Sequence, residues 1–289
     1  MMSDSPQPAV WSPQGRPHPR FRMIPLNARI WLGLGIIALI LLVGIFVPML
    51  LHENPDALNP MAALAPPSAQ HLMGTDQYGR DIFLRVAYAA RLDLVFGIAP
   101  VIMSILIGST LGIMAGYFGG WTETIVMRLV DVMVAFPYLV LVIVIIALIG
   151  PGIFGMMIAL VAVDWTVYAR LIRGETLVVK KLEYTVAGRL LGYSHPRIIL
   201  RHVLPNVVTP ALVYSMVDVV NTILVAATLS YLGLGVQPPT PEWGAMISDG
   251  QNFIFQAWWM TVMPGIALIV TGVGLSLVAD GIAEMIEGG

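Results

Sequence analysis

Three aspartates, Asp131, Asp164 and Asp218, stand inside runs that are otherwise apolar. An ionised carboxylate in a membrane helix is costly, so each must mark either a transport pathway or a paired structural site. Asp131 lies three residues from Arg128 and reads as a structural ion pair at the edge of its run. Asp164 and Asp218 lie deeper and are candidates to face a central cavity, where a carboxylate could meet a substrate's amino group. Two facing aspartates are also the machinery of an intramembrane aspartyl protease, although the glycine-flanked aspartate motifs of that class are missing. Gly-x-Ser-x-Gly and His-Glu-x-x-His are absent as well. Metal chemistry finds little support. There is no Cys, and His52, His71, His195 and His202 lack a close His/acid helical spacing. The 17 Met residues are scattered and suit packing. Gly116–Gly120 is no phosphate cradle, because no Lys-Ser/Thr follows it. The only lysines, Lys180 and Lys181, lack the glycine spacing of a Walker A loop, so the chain does not hydrolyse ATP itself.

The elements that would carry these residues follow from composition. The chain is 57% hydrophobic and 11% charged, whereas a soluble domain carries roughly 25% charged residues. Most of its surface must therefore face lipid or other apolar helices. A spanning helix needs about 20 apolar residues. Six segments qualify: 30–50, 94–118, 132–149, 153–171, 207–236 and 253–279. The third is closed by Gly150-Pro151-Gly152, a turn signal. The first is too long and too late for a cleaved signal peptide. Twelve of the fifteen Lys and Arg fall in the N-terminal tail, in the loop after the second run, or in the segment from Arg170 to Arg201. Arg80, Arg85 and Arg91 fall on the other side. The positive-inside rule then predicts both termini to be cytoplasmic.

The predicted organisation is a disordered cytoplasmic tail over 1–29, a first transmembrane helix over 30–51, an external segment over 52–93, and a five-helix core over 94–289. Within the external segment, residues 75–91 read as an interfacial helix capped by Thr75 or Asp76. A second outer loop holds Pro238, Pro239 and Pro241, and Trp243, Trp258 and Trp259 suit an aromatic belt. The core includes a cytoplasmic loop over 172–205 that reads as helix, turn, helix. Residues 174–191 are good helix formers, Gly192 supplies a left-handed stop, and Ser194 can cap a second short helix whose first turn tolerates Pro196. Ala187 and Gly188 would leave a shallow, nearly side-chain-free patch that a partner could approach closely. No basic stripe with interleaved aromatics suggests nucleic acid.

That loop resembles the Glu-Ala-Ala coupling loop of ABC importer permeases. Glu183 precedes it, Val186, Ala187 and Gly188 occupy the first triplet, Gly192 the glycine, and His202, Leu204 and Pro205 the closing group. The spacing matches, while Val, Gly and His stand where the pattern has Glu, Ala and Ile. Further stretches are similar to the second permease subunit of dipeptide, oligopeptide and nickel importers: His71-Leu-Met-Gly-Thr-Asp-Gln-Tyr-Gly-Arg-Asp81, Gly116-Tyr-Phe-Gly-Gly-Trp121, Arg128-Leu-Val-Asp131 through Phe136-Pro137, Ser230-Tyr-Leu-Gly-Leu-Gly235 and Gln237-Pro-Pro-Thr-Pro-Glu-Trp-Gly244. Together they cover most of 71–281 in order. Just before the Ser230 stretch, where many peptide-importing members carry an acid, this chain has Ala226 and Ala227.

The resemblance implies an all-α integral membrane protein of six transmembrane helices, with the type I ABC importer permease fold. It implies a homologous second permease, two ATPase subunits, an external substrate-binding protein and surrounding lipid as partners. No cofactor is expected on this chain, with ATP and magnesium at the partner ATPases. The expected cargo is short peptides, with nickel or a nickel chelate as the alternative, and the expected location is the bacterial inner membrane.

Overall fold

The computed structural model describes residues 26–287, so the tail expected to be disordered lies outside the described residues except at its end, where Leu26 already begins a helix. Among the described residues the regular structure is helical, with irregular segments over 52–81 and 232–242 and one isolated bridge between Thr75 and Asp81. The helices are α1 (Leu26–Leu51), α2 (Ile82–Phe118), α3 (Gly120–Val134), α4 (Tyr138–Ile149), α5 (Ile153–Val179), α6 (Glu183–Leu190), α7 (His195–Ile198), α8 (Leu204–Tyr231), α9 (Trp243–Gly250) and α10 (Trp259–Glu287). Five uninterrupted helical stretches are long and apolar enough to cross a membrane: α1, α2, α5, the continuous run His195–Tyr231 and α10.

A sixth candidate span is present only as a bent pair of helices. α3 and α4 meet at an angle of 96°, in place of the single span expected over 132–149. Pro137 explains the break, because it has no N–H to continue the helix and pushes Phe136 away from helical geometry. α4 alone has 12 residues, a rise of only about 18 Å, so the crossing needs α3 as well. The turn at its end is as expected: Gly150 and Gly152 take φ of 110° and 122°, a backbone that side chains resist.

α2 is the central element, 37 residues long, or about 55 Å. The helix expected over 75–91 begins instead at Ile82 and runs without a break into the span. Its cap is Asp81, which accepts from the Leu84 N–H at 2.9 Å. Thr75 and Asp76, the expected caps, hold a knot in front of it. The Ala65 N–H donates to Thr75 Oγ1 at 2.8 Å, and Asp76 accepts from Tyr78 N, Arg80 N and Arg80 Nε. A second knot closes on the same end. Glu242 caps α9 by accepting from Gly244 N and Ala245 N, and buried Trp243 donates from Nε1 to the Val86 carbonyl at 3.1 Å.

Helices in lipid gain little from hydrophobic contact with one another, so small residues that let backbones approach do much of the holding. Gly108, Gly112 and Gly116 recur every four residues on one face of α2. A Cβ at these sites would lie 2.5 Å from the Trp165 carbonyl oxygen, 2.6 Å from that of Ala169 and 2.7 Å from Thr176 Cβ, all on α5. Gly97 plays the same part against Ile223 of α8, at 2.4 Å. α1 is peripheral. It packs on α10 through Gly33 and Gly274 and on α2 through Gly44, while Trp31, Leu39 and Leu50 face outward.

One contact of α1 is polar. Pro48 lies inside α1 and cannot donate to the carbonyl of Gly44, four residues back. Arg91 of α2 supplies the missing donor: its Nε bonds the Gly44 carbonyl and its Nη2 bonds that of Ile45 at 3.0 Å. Each residue therefore depends on the other. Arg91→Leu should destabilise the protein by about 1–3 kcal/mol, the cost of an unmade bond at a buried acceptor. Pro48→Ala restores the backbone donor and should make the same Arg91 substitution cheaper. A double-mutant cycle on thermal unfolding in detergent measures the coupling, and strictly additive effects would contradict this account.

Candidate functional site

The chemistry expected from the sequence falls into two places, a hairpin at one end of the bundle and a cavity halfway through it. The hairpin starts where α5 ends at Val179. The single helix expected over 174–191 is interrupted at Lys180–Leu182, and α6 begins afresh with Glu183 in its first turn, where an acidic residue complements the helix N-terminus. Gly192 makes the reversal with φ 76°. Ser194 stands at the start of α7 but makes no side-chain cap bond. Residues Ile199–Val203 form a π turn that runs into α8, with Leu204 first and Pro205 in the first turn.

The hairpin has an inner and an outer side, and the expected bare patch is divided between them. Gly188 is buried: a Cβ there would sit 3.4 Å from Tyr193 and 3.9 Å from His202, whose rings stack 6.3 Å apart. Gly188 and His202 thus close the hairpin on itself, because the phase of α6 turns Thr185 and Gly188 to the inside. Ala187 and Val186 are on the outside with Glu183, and Leu190 and Leu191 stand 84% and 71% exposed. The inner side is fastened to the end of α2. Lys180 Nζ donates to the Gly116 carbonyl at 2.6 Å, Tyr117 Oη and His195 Nδ1 are hydrogen-bonded at 2.9 Å, and the Arg189 guanidinium lies 5.0 Å above the Tyr117 ring. Ile198, Val203 and Val207 are fully buried against Tyr168 and Ile172 of α5. Arg173 fastens α5 to α3 by pairing with Glu123. Asp131 faces Arg170 at 4.0 Å, with both side chains exposed, rather than the Arg128 expected as its partner.

The cavity has a volume of about 390 Å³ and lies between α4, α5 and α8. Asp164 and Asp218 both line it, so the structure brings together the two acids that the sequence singled out. Asp218 is at the middle of the 28-residue α8. Its Oδ2 accepts from the Tyr168 hydroxyl at 2.7 Å. Tyr138, Tyr214, Asn221, Thr222 and Thr228 complete the polar lining. The tyrosines were not anticipated, yet a signal for two of them was present: Tyr168 follows Asp164 by four residues and Tyr214 precedes Asp218 by four, which puts each pair on one helix face. Among the described residues no three His, Asp or Glu side chains gather as a metal site.

Residues 108–288 match the family of binding-protein-dependent transport system inner membrane components. Over 252 residues the chain is 40% identical to a probable D,D-dipeptide transport system permease protein of Escherichia coli, covering 87% of this chain and 85% of that one. It is 38% identical over 267 residues to a dipeptide transport system permease protein of Alkalihalophilus pseudofirmus, covering 92% and 88%. It is 37% identical over 268 residues to an oligopeptide transport system permease protein of Bacillus subtilis, covering 93% and 87%. Among solved structures, an amino acid ABC transporter crystallised with histidines superposes with a TM-score of 0.52 at 14% identity, over 68% of this chain and 91% of that one, a likeness of fold. The bent span, the glycine-packed helices and the projecting hairpin are thus those of a type I permease, and the chain belongs to the binding-protein-dependent transport system inner membrane components, the multi-pass, non-catalytic membrane subunits of ABC importers.

Proposed function

We propose that this chain forms half of the translocation path for short peptides in an importer completed by a homologous second permease, two ATPase subunits and an external binding protein. ATP and magnesium sit at the ATPases. The peptide assignment is supported by the names of the relatives, which span almost the whole chain. Nickel gains no comparable support. The protease reading of Asp164 and Asp218 is displaced by membership of a non-catalytic family.

The observation that carries the coupling role is the two-sided hairpin. Its inner side is locked to α2, α5 and α8, and its outer side leaves Leu190 and Leu191 in the open. Such an apolar knob on a rigid mount suits a groove on a partner, and a push on it is delivered directly to α5 and α8. Closure of the ATPase dimer on ATP would therefore move the two helices that line the cavity, exchanging inward-open and outward-open states.

Leu190→Glu places a charge on the outer side and should lower substrate-stimulated ATP hydrolysis of the reconstituted importer more than about tenfold, or ~1.4 kcal/mol, with the chain still inserted. Gly188→Trp should instead break the hairpin, since its ring would collide with Tyr193 and His202. Normal stimulation in the Leu190→Glu complex would sink the coupling role.

The distribution of basic residues supports an orientation with the hairpin and both termini in the cytoplasm. The chain has no Cys, so single thiols can be introduced at exposed Ser194 and Thr240. A membrane-impermeant maleimide should label Thr240→Cys in intact cells and Ser194→Cys only after permeabilisation. The reverse pattern would invert the topology and remove the docking role with it.

A further inference from the structure

Asp164 is 5% exposed, and its Oδ2 atom is sealed from the surface without a hydrogen-bond partner among the described residues. It lines the cavity about 17 Å along α5 from that helix's first residue, at mid-depth of the bundle. Asp218, 7% exposed, lines the same cavity but has one oxygen engaged by Tyr168. No Lys or Arg is among the lining residues. A carboxylate in such a place is expensive, and although the Tyr138 hydroxyl reaches the Asp164 carboxyl, the cavity lining supplies no cation to balance it. What the site lacks is a counter-charge.

The chemistry of the lining selects the kind of donor. A divalent cation requires several oxygen or nitrogen ligands converging at once, and among the described residues no three His, Cys, Asp or Glu side chains gather to hold one. A primary ammonium needs less: one carboxylate for charge and neutral acceptors or aromatic faces for the rest. Asp164 offers the carboxylate, Asn221 and Thr222 offer neutral acceptors, and Tyr138 and Tyr214 offer rings beside it. Asp218 adds negative potential without competing for the same position, because Tyr168 holds it. A single charged bond also suits a passage, since a complete cage would retain its cargo.

We propose that Asp164 is a transit ligand for the primary ammonium group of the substrate, so that this half of the path favours peptides with a free amino terminus. This assignment rests on the peptide-import reading above and says which end of the peptide the cavity grips. The sequence left both acids as candidates for that part; Asp218 commits one oxygen to Tyr168, whereas Asp164 Oδ2 has no hydrogen-bond partner among the described residues.

The test uses the whole importer in vesicles, with peptide at saturating concentration so that capture by the binding protein does not limit the rate. The isosteric Asp164→Asn should slow uptake of a free-amine dipeptide about tenfold, or ~1.4 kcal/mol, and slow its N-acetylated counterpart less than about twofold. Equal losses for both, or none for either, overturn the assignment. Should the wild-type importer carry neither peptide, the peptide-import reading fails, and a second measurement judges the cavity by itself. Leu139 lines the cavity and the chain has no Cys, so Leu139→Cys provides one thiol there, with the importer lacking that substitution as the baseline. A cationic aminoethyl methanethiosulfonate should modify it roughly tenfold faster than an anionic sulfonatoethyl reagent, a factor worth ~1.4 kcal/mol, and Asp164→Asn in the same chain should erase the preference. No preference, or one that survives Asp164→Asn, overturns the proposal whether or not transport is seen.

Discussion

The close approach of α2 to its neighbours is the constraint on which the remaining structure depends. Water drives apolar surfaces together, but lipid tails are as apolar as leucine, so helices within a bilayer hold by fit. Gly108, Gly112 and Gly116 bring the backbone of α2 against that of α5, and Gly97 admits Ile223 of α8. These two contacts place α5 and α8 side by side. Asp164 and Asp218 come to line one cavity for that reason, since each acid rides on a helix whose position α2 fixes. The hairpin follows from the same contact, because Gly116 both packs on Thr176 and offers its carbonyl to Lys180.

Hairpin and cavity share their supports. α5 carries Asp164 and delivers the chain into the hairpin, and α8 carries Asp218 and receives the chain from it. Ile198 and Val203 of the hairpin pack in the same cluster as Tyr168, whose hydroxyl holds Asp218. The hairpin and the cavity are thus connected by close-packed side chains and by the two helices they share. The weak point is elsewhere, at the 96° bend between α3 and α4. Tyr138 opens α4 just after that bend and lines the cavity, so the wall opposite α5 and α8 hangs from a corner rather than from a straight helix.

What the sequence disclosed is what local rules control. Runs of about 20 apolar residues must be buried in something, and five of the six predicted spans became continuous helices. The turn at Gly150-Pro151-Gly152 and the reversal at Gly192 were legible because few other residues tolerate those backbones. Errors arose where a side chain serves a distant partner. Thr75 and Asp76 have the chemistry of helix caps, but their oxygens are taken by Ala65, Tyr78 and Arg80, and the helix waits for Asp81. Phe136-Pro137 was visible as a motif, yet the apolar character of 132–149 masked the bend. Gly188 was taken for open surface, while the rings that cover it come from Tyr193 and His202, beyond the reversal. Asp131 faces Arg170 of α5, although its i,i+3 spacing from Arg128 on α3 would equally have allowed that pair, and nothing in the sequence decided between them.

The pairing of Arg91 with Gly44 bears on how the chain comes to be in the membrane at all. α1 by itself has a carbonyl that Pro48 leaves without its donor, and α2 by itself carries a guanidinium among apolar neighbours. Neither is a comfortable solitary guest of hydrocarbon, and each cures the other's defect. In hydrocarbon the two helices are therefore worth more as a pair than apart, because the proline of one and the arginine of the other are each satisfied only in the other's company.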